Sequence, residues 1–309
     1  MKYIAPAYYR DFKCIASACR HSCCVGWEVD VDGDALALYG EMTHPYADMI
    51  RASIDYEGTP HFALSEGERC PHLSPSGLCN IITECGEEAL CQICRDHPRY
   101  RNFYEGVTEI GLGLSCEEAA RLALDGESVG FIVSDSEDMT DAEYRAEYPT
   151  ELFSEDEAYL AEEKKRLIAL VTDSRRSIGE RLKSLLPKTP SADEIKGLFL
   201  SLEMLDESWR ECVNMLSADD FVLDSDKLGV FAERTAVAFI YRHLTSESFY
   251  EPRTVGAFAA LSALTVAALA RTPEAFADTL RAYSAEIEYS TENTEKILDF
   301  IEENYRYEI

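Results

Sequence analysis

The sequence predicts a mainly α-helical protein in two parts: an irregular, cysteine-rich, metal-binding amino-terminal domain over residues 1–125 and an all-helical domain over residues 126–309. Three observations predict this. Ten of the eleven cysteines lie between Cys14 and Cys116, with only Cys212 beyond them. In the later part, apolar residues recur at the helical spacing between recognisable helix starts. And a chain of 309 residues exceeds the size at which one hydrophobic core usually stops growing.

In chain order, the opening "MKYIAPAYYRDFKC" has no apolar h-region and no small-residue cleavage pattern. A secretory signal is therefore not expected, and a cytoplasmic, reducing location is. In such a compartment, closely spaced cysteines are metal ligands or catalytic thiols more often than disulfides. "GWEVDVDGDAL" predicts a short strand, Trp27 to Val31, and an acidic turn at Gly33. Asp30, Asp32 and Asp34 alternate like the opening of a calcium loop, but Ala35 stands where that loop needs glycine. The stretch "LDGESVGFIVSDSEDMTDAEY", Leu124 to Tyr144, predicts a linker around one β-like run, Gly130 to Val133.

Beyond it, Ser154 to Glu157 and Ser191 to Glu194 fit the capping box, and Thr272 with Pro273 fits a cap followed by proline at the first helical position. Helical spacing joins Leu160, Leu167, Ile168 and Val171; Val230, Val237, Phe239 and Ile240; and Ile297, Leu298 and Ile301. "TVGAFAALSALTVAALA", between Arg253 and Arg271, is shorter than a usual membrane span and carries Thr, Ser and Gly, so a buried helix is expected. Met204, Trp209, Cys212 and Met215 read as core.

The net charge of −29 is spread over both halves and would repel phosphate backbones and anionic membranes, so nucleic acid is excluded as a partner. A cationic protein surface is the partner that such a field attracts.

The cysteine spacing is the most informative feature: C-x4-C-x3-C-C at Cys14, Cys19, Cys23 and Cys24, C-x8-C at Cys70 and Cys79, then Cys85, C-x2-C at Cys91 and Cys94, and Cys116. Ligands only a few residues apart can fold back on one zinc ion or iron–sulfur cluster. Successive side chains diverge, so Cys23 and Cys24 predict two centres, or one centre plus a free thiol. Ser115 to Glu118 fits a capping box that would set Cys116 in the first turn of a helix, where the dipole favours a thiolate. His21 and His72 are candidate replacements for a thiolate, whereas His44, His61 and His243 read as structural or surface residues.

The blocks "FKCIASACRHSCCVGW", "ERCPHLSPSGLCNI", "CRDHPR" and "LSCEEAARL", in that order, resemble the flagellin lysine-N-methylase family and the related CxxCxxCC zinc- or iron-chelating group. The resemblance spans residues 3–124. It implies a cytoplasmic enzyme that transfers methyl groups from S-adenosylmethionine to lysines of a flagellin-like protein and carries a [4Fe-4S] cluster, with zinc as the alternative metal. It implies Cys14, Cys19, Cys23, Cys24, Cys70, Cys79, Cys94 and Cys116 as metal ligands, with Cys85 and Cys91 as additions of this chain. His97 departs from the aromatic expected before Pro98 and Arg99. Methylation of an amine needs a base or a desolvated pocket, and Tyr100 and Glu117, with Tyr104 and Asp96 behind them, are the candidates nearest the cysteines in sequence.

"GLGLS", Gly111 to Ser115, lacks the third glycine of a dinucleotide fingerprint, which disfavours a Rossmann-type methyltransferase. The x4 and x3 spacing likewise differs from the C-x3-C-x2-C of radical S-adenosylmethionine enzymes. A zinc-held interaction module and an iron–sulfur electron carrier remain the competing classes.

Overall fold

The computed structural model describes residues 1–125, 129–188, 190–217 and 226–304. Its strands are β1 (Lys2–Pro6), β2 (Val29–Asp30), β3 (Ile54–Asp55), β4 (His61–Phe62), β5 (Arg99–Phe103), β6 (Val107–Leu112), β7 (Phe131–Ser134) and β8 (Glu143–Arg145). Helices α1 (Gly33–Glu41), α2 (Ala47–Ala52), α3 (Asn80–Cys85), α4 (Gln92–Asp96) and α5 (Glu117–Asp125) lie among the strands. The chain then runs through α6 (Ala158–Val171), α7 (Ile178–Leu185), α8 (Ala192–Leu200), α9 (Glu207–Asn214), α10 (Asp226–His243), α11 (Pro252–Ala270), α12 (Pro273–Ile287) and α13 (Thr291–Asn304). The fold is therefore mixed α/β, with an all-helical carboxy-terminal region, and the amino-terminal part is more ordered than its sequence suggested.

Packing divides the chain into two compact units, one of residues 1–12, 101–115 and 119–309, the other of residues 13–100 and 116–118. A single cut at residue 125 does not describe this division, because β1 runs parallel to β6, with Lys2 opposite Val107, and antiparallel to β7, with Ile4 opposite Val133. Strand pairing thus commits both ends of the cysteine-rich segment to the helical unit. The sheet order is β5-β6-β1-β7-β8. Every residue of β6 is buried, so this strand shows no alternation of apolar and polar side chains. The expected β-like run appears as β7; residues 126–128 of the expected linker lie outside the described residues.

In the helical unit, Ser191 and Glu194 form the expected capping box, and Ser177 with Glu180 forms another. Ser154 and Glu157 bond to each other in a turn that precedes α6 instead of capping it. Thr272 and Pro273 open α12 as expected, without a side-chain cap bond. Leu167, Ile168, Val171, Phe239, Ile240, Ile297 and Ile301 are core. Two residues depart from their expected faces: Val230 is 42% exposed, and Met215, at the end of α9, is 57% exposed. Helix α11 is long and apolar enough to cross a membrane, yet 89% of its most apolar window is buried inside the unit.

A buried charge pair ties β6 to α6. Lys164 Nζ donates to both oxygens of Glu109, at 2.6 and 2.7 Å, and to the Tyr241 carbonyl at 3.1 Å, which uses all three ammonium protons. The carboxylate also accepts from Tyr104 at 3.2 Å, from Asn102 at 3.3 Å and from Tyr148. The Tyr104, Tyr148 and Tyr241 rings lie 5.8, 5.5 and 5.1 Å from Nζ, completing an aromatic cage. Burial pulls the Lys164 ammonium below its ordinary value, and Glu109 works against that fall.

The smaller unit has a three-stranded sheet in the order β2-β4-β3 and helices α1 to α4. The expected strand shortens to β2, and Asp32 becomes the cap of α1, accepting from Ala35 N at 2.9 Å. Its other oxygen accepts from Gln92 N at 2.7 Å, so this aspartate is occupied by backbone donors. Val29, Val31, Tyr39, Ile50, Phe62, Ile81 and Leu90 form a small core that includes Cys70 and Cys91.

Candidate metal centre

Short-range geometry explains how distant cysteines meet. The Cys70 amide donates to the Cys24 carbonyl at 2.8 Å, which stitches the first block to the second. Between Cys70 and Cys79 the chain turns back: Ser74 N donates to Leu78 O at 2.8 Å, Gly77 takes φ of 79°, and Leu73 pairs with Cys79. Glycine suits that left-handed position, where a side chain would strain the backbone. Cys79 precedes α3 and Cys91 precedes α4, with Cys94 one turn further along α4.

The sulfurs fall into two groups. Cys70 and Cys91 are buried in the core of the unit, with Cys24, Cys79 and Cys94 packed against it. The charge on Cys24, Cys79 or Cys91 would raise the Cys70 thiol, and Cys91, Cys24 and Cys70 would all raise Cys94, so the five are electrostatic neighbours. Burial, first of all, pushes Cys70 up to about 11. A hydrogen bond from Cys94 lowers Cys91 and raises Cys94 in return.

The outer group comprises Cys14, Cys19, Cys23 and Cys116. Cys14 and Cys23 are exposed and the other two half-buried. Cys23 feels the charges of Cys14 and Cys116, and Cys19 feels that of Cys14. The two groups adjoin at consecutive residues: Cys23 and Cys24 share a hydrogen bond that raises the first and, against the effect of burial, lowers the second to about 7. Cys91, expected to be an addition outside the ligand set, lies in the buried group. Its C-x2-C spacing to Cys94 was the available signal. Cys85 also packs against this core, but its Sγ lies 3.4 Å from His44 Nδ1 and the charges that shift it are those of Glu84 and Glu88, not of other cysteines.

Glu117 sits beside the outer group and holds the Arg20 and His21 side chains. It accepts from Arg20 Nε and from the Arg20 amide, both at 3.0 Å, and pairs with His21 Nδ1 at 2.9 Å. Burial acts to raise this carboxyl, but the bonds from His21 and Arg20 outweigh it and hold it down at about 2. Cys116 immediately precedes α5, whose first residue is Glu117. Tyr100 is half-buried on β5, Asp96 ends α4, and Tyr104 belongs to the other unit, donating to Glu109.

His72 is fully buried, with Ser53 Oγ 2.9 Å from Nε2 and Tyr46 OH 3.0 Å from Nδ1, so both nitrogens are engaged within the protein. Burial lowers it to about 4, and likewise lowers His97, which lies against Trp27 with ring centres 6.1 Å apart.

None of the eleven cysteines is in a disulfide. In kind, the donors fit a soft ion or an iron–sulfur cluster, since thiolates are the ligands both prefer. In placement, no group of three or more His, Cys, Asp or Glu among the described residues stands ready to hold an ion. The sulfurs of each group are neighbours that must close in to form a ligand shell.

A stretch of 121 residues is 26% identical to the lysine-N-methylases of Salmonella choleraesuis (strain SC-B67) and Salmonella typhimurium (strain LT2), covering 37% of this chain and 30% of each relative. The flagellar biosynthetic protein FliU of Salmonella muenchen matches to the same degree over 71% of its length. The chain thus shares distant, partial similarity with these proteins and spans less than a third of the two methylases. No family model and no solved structure matches it.

Proposed function

We propose that the chain methylates lysine side chains of a protein partner, a flagellin-like surface with exposed lysines, using S-adenosylmethionine as the methyl donor. The proposal includes a metal held by the thiol groups, an iron–sulfur cluster or zinc, and a cytoplasmic, reducing setting. Partial likeness to lysine-N-methylases, in a chain with one unit built around ten unbridged cysteines, is the observation that carries it.

A lysine amine attacks a methyl sulfonium only after losing its proton. At neutral pH Glu117 is fully ionised and too weak a base for that task; its role is to orient Arg20 and His21. With Glu117 on Nδ1, the His21 ring presents Nε2 as the proton acceptor. The net charge of −29 draws a cationic segment toward the protein. Bound at the thiols, an iron–sulfur cluster would supply electron storage and a zinc ion a rigid crosslink; Cys14, Cys19, Cys23 and Cys116 would hold one centre and Cys24, Cys70, Cys79, Cys91 and Cys94 the other. Placement of the second group within a core supports, as a second reading, structural zinc in an interaction module.

Anaerobic purification with metal, sulfide and visible-absorption analysis tests the cofactor. Incubation of that holoprotein with S-adenosylmethionine and a lysine-bearing flagellin is expected to add methyl groups detectable by mass spectrometry. A metal-loaded chain that neither binds S-adenosylmethionine nor modifies any lysine removes the methylase reading and leaves the interaction module.

A further inference from the structure

We propose that a cavity of about 310 Å³ within the helical unit is the binding site for a zwitterionic purine nucleoside, the chemical class of the methyl donor, and this rests on the methylase reading. The volume lies at the lower end of what holds small ligands. Helix α10 presents Arg234, Val237, Ala238 and Tyr241 to the cavity, a spacing of three, four and seven residues that defines one helical face. The opposite walls come from the segment after β1, the end of α5 and the start of β7.

The lining separates by chemistry. Val237, Ala238 and the Phe131 ring form an apolar floor suited to a planar heterocycle, with the Tyr144 ring at one side. Gly130 permits that side wall, because a Cβ there would come within 2.5 Å of Cε2 at the hydroxyl end of the Tyr144 ring. Charges of both signs stand at the lining: Arg10 and Arg234, with Asp11 and Asp125. Arg234 is half-buried and anchored on the Leu124 carbonyl, which aims a fixed cation at the cavity. A carboxylate and an ammonium on one ligand match such a pair of signs, whereas a simple anion or a simple cation would meet repulsion from one of them.

S-adenosylhomocysteine is the probe, titrated calorimetrically into the full chain purified without oxygen. Ala238→Trp fills the cavity from a half-buried position and is expected to weaken binding at least tenfold. Tyr144→Ala, at a side chain that is 50% exposed, is expected to weaken it severalfold and guards against a misfolded first variant. If the unmodified chain binds and both folded variants bind equally well, the cavity assignment is wrong and the methylase reading stands. If the metal-loaded chain does not bind the probe at all, both fall together.

Discussion

Two buried clusters, one in each unit, handle chemically demanding groups in opposite ways. In the helical unit Glu109 and Lys164 sit at 0% and 1% side-chain exposure, each charge answered by the other and every ammonium proton donated. In the smaller unit Cys24, Cys70, Cys79, Cys91 and Cys94 crowd together with no cation among the groups that shift them most, apart from Arg69 near Cys24. The first cluster is electrostatically complete. In the second, hydrogen bonds lower Cys24 and Cys91 while burial and neighbouring sulfurs raise Cys70, Cys79 and Cys94, so each further thiolate formed there meets the charge of the others. Completeness marks a cluster that serves the fold; the second cluster carries no such internal answer.

The largest expected effect comes from breaking the complete cluster. Lys164→Met strands a buried carboxylate and is expected to cost about 3–5 kcal/mol, while the double change Glu109→Leu with Lys164→Met recovers most of the loss. Urea unfolding followed through Trp209, in a Trp27→Phe background, measures both. A single variant within 1 kcal/mol of the parent, on the order of an exposed pair, would show that the pair is not the strut the geometry makes it.

Breaking the incomplete cluster should change metal content before it changes the helical unit. If the two thiol groups are separate centres, Cys19→Ser lowers the metal of an anaerobic preparation by the outer share alone, and Cys70→Ser by the inner share alone. Either substitution stripping all the metal would mean one shared centre, and the separation at Cys23 and Cys24 would have no functional meaning.

The same contrast explains what could be read from residue order. The cysteine blocks announced themselves because ligand geometry depends on local spacing, and the helices did so through caps such as Ser191 with Glu194 and through periodic apolar residues. The parallel pairing of β1 with β6 joins residues about a hundred positions apart, and the fully buried β6 carries no period to betray it. Glu109 and Lys164, 55 positions apart, look like ordinary surface charges until the fold brings them together. The place of Cys91 in the buried thiol group follows from how α4 packs on the core, which the sequence blocks around it do not reveal.

Acid should separate the units in order. His97 is neutral in the fold, lowered by burial to about 4 from its ordinary 6.5, so its contribution is present in full above about 6.5 and lost as pH falls toward 4. In the helical unit, burial acts to raise Glu288, but Arg242 and His243 hold it below its ordinary 4.5, so its contribution persists until the pH drops under that value. Trp27, against His97, should therefore change fluorescence at a higher pH than Trp209 does. Coincident acid transitions, or the reverse order, would defeat the assignment.

The smallest expected effect is at Cys212. This cysteine lies on α9 in the helical unit, half-buried and outside both thiol groups. Serine replaces a weak donor with a slightly smaller hydroxyl, and at a half-buried position such a change is usually worth about 0.5 kcal/mol or less. Metal content and the cluster absorption of the anaerobic protein should be unchanged. If Cys212→Ser strips metal while Cys19→Ser does not, sulfur chemistry resides in the helical unit, and the contrast between a self-sufficient cluster and one without an internal answer is drawn between the wrong parts of the molecule.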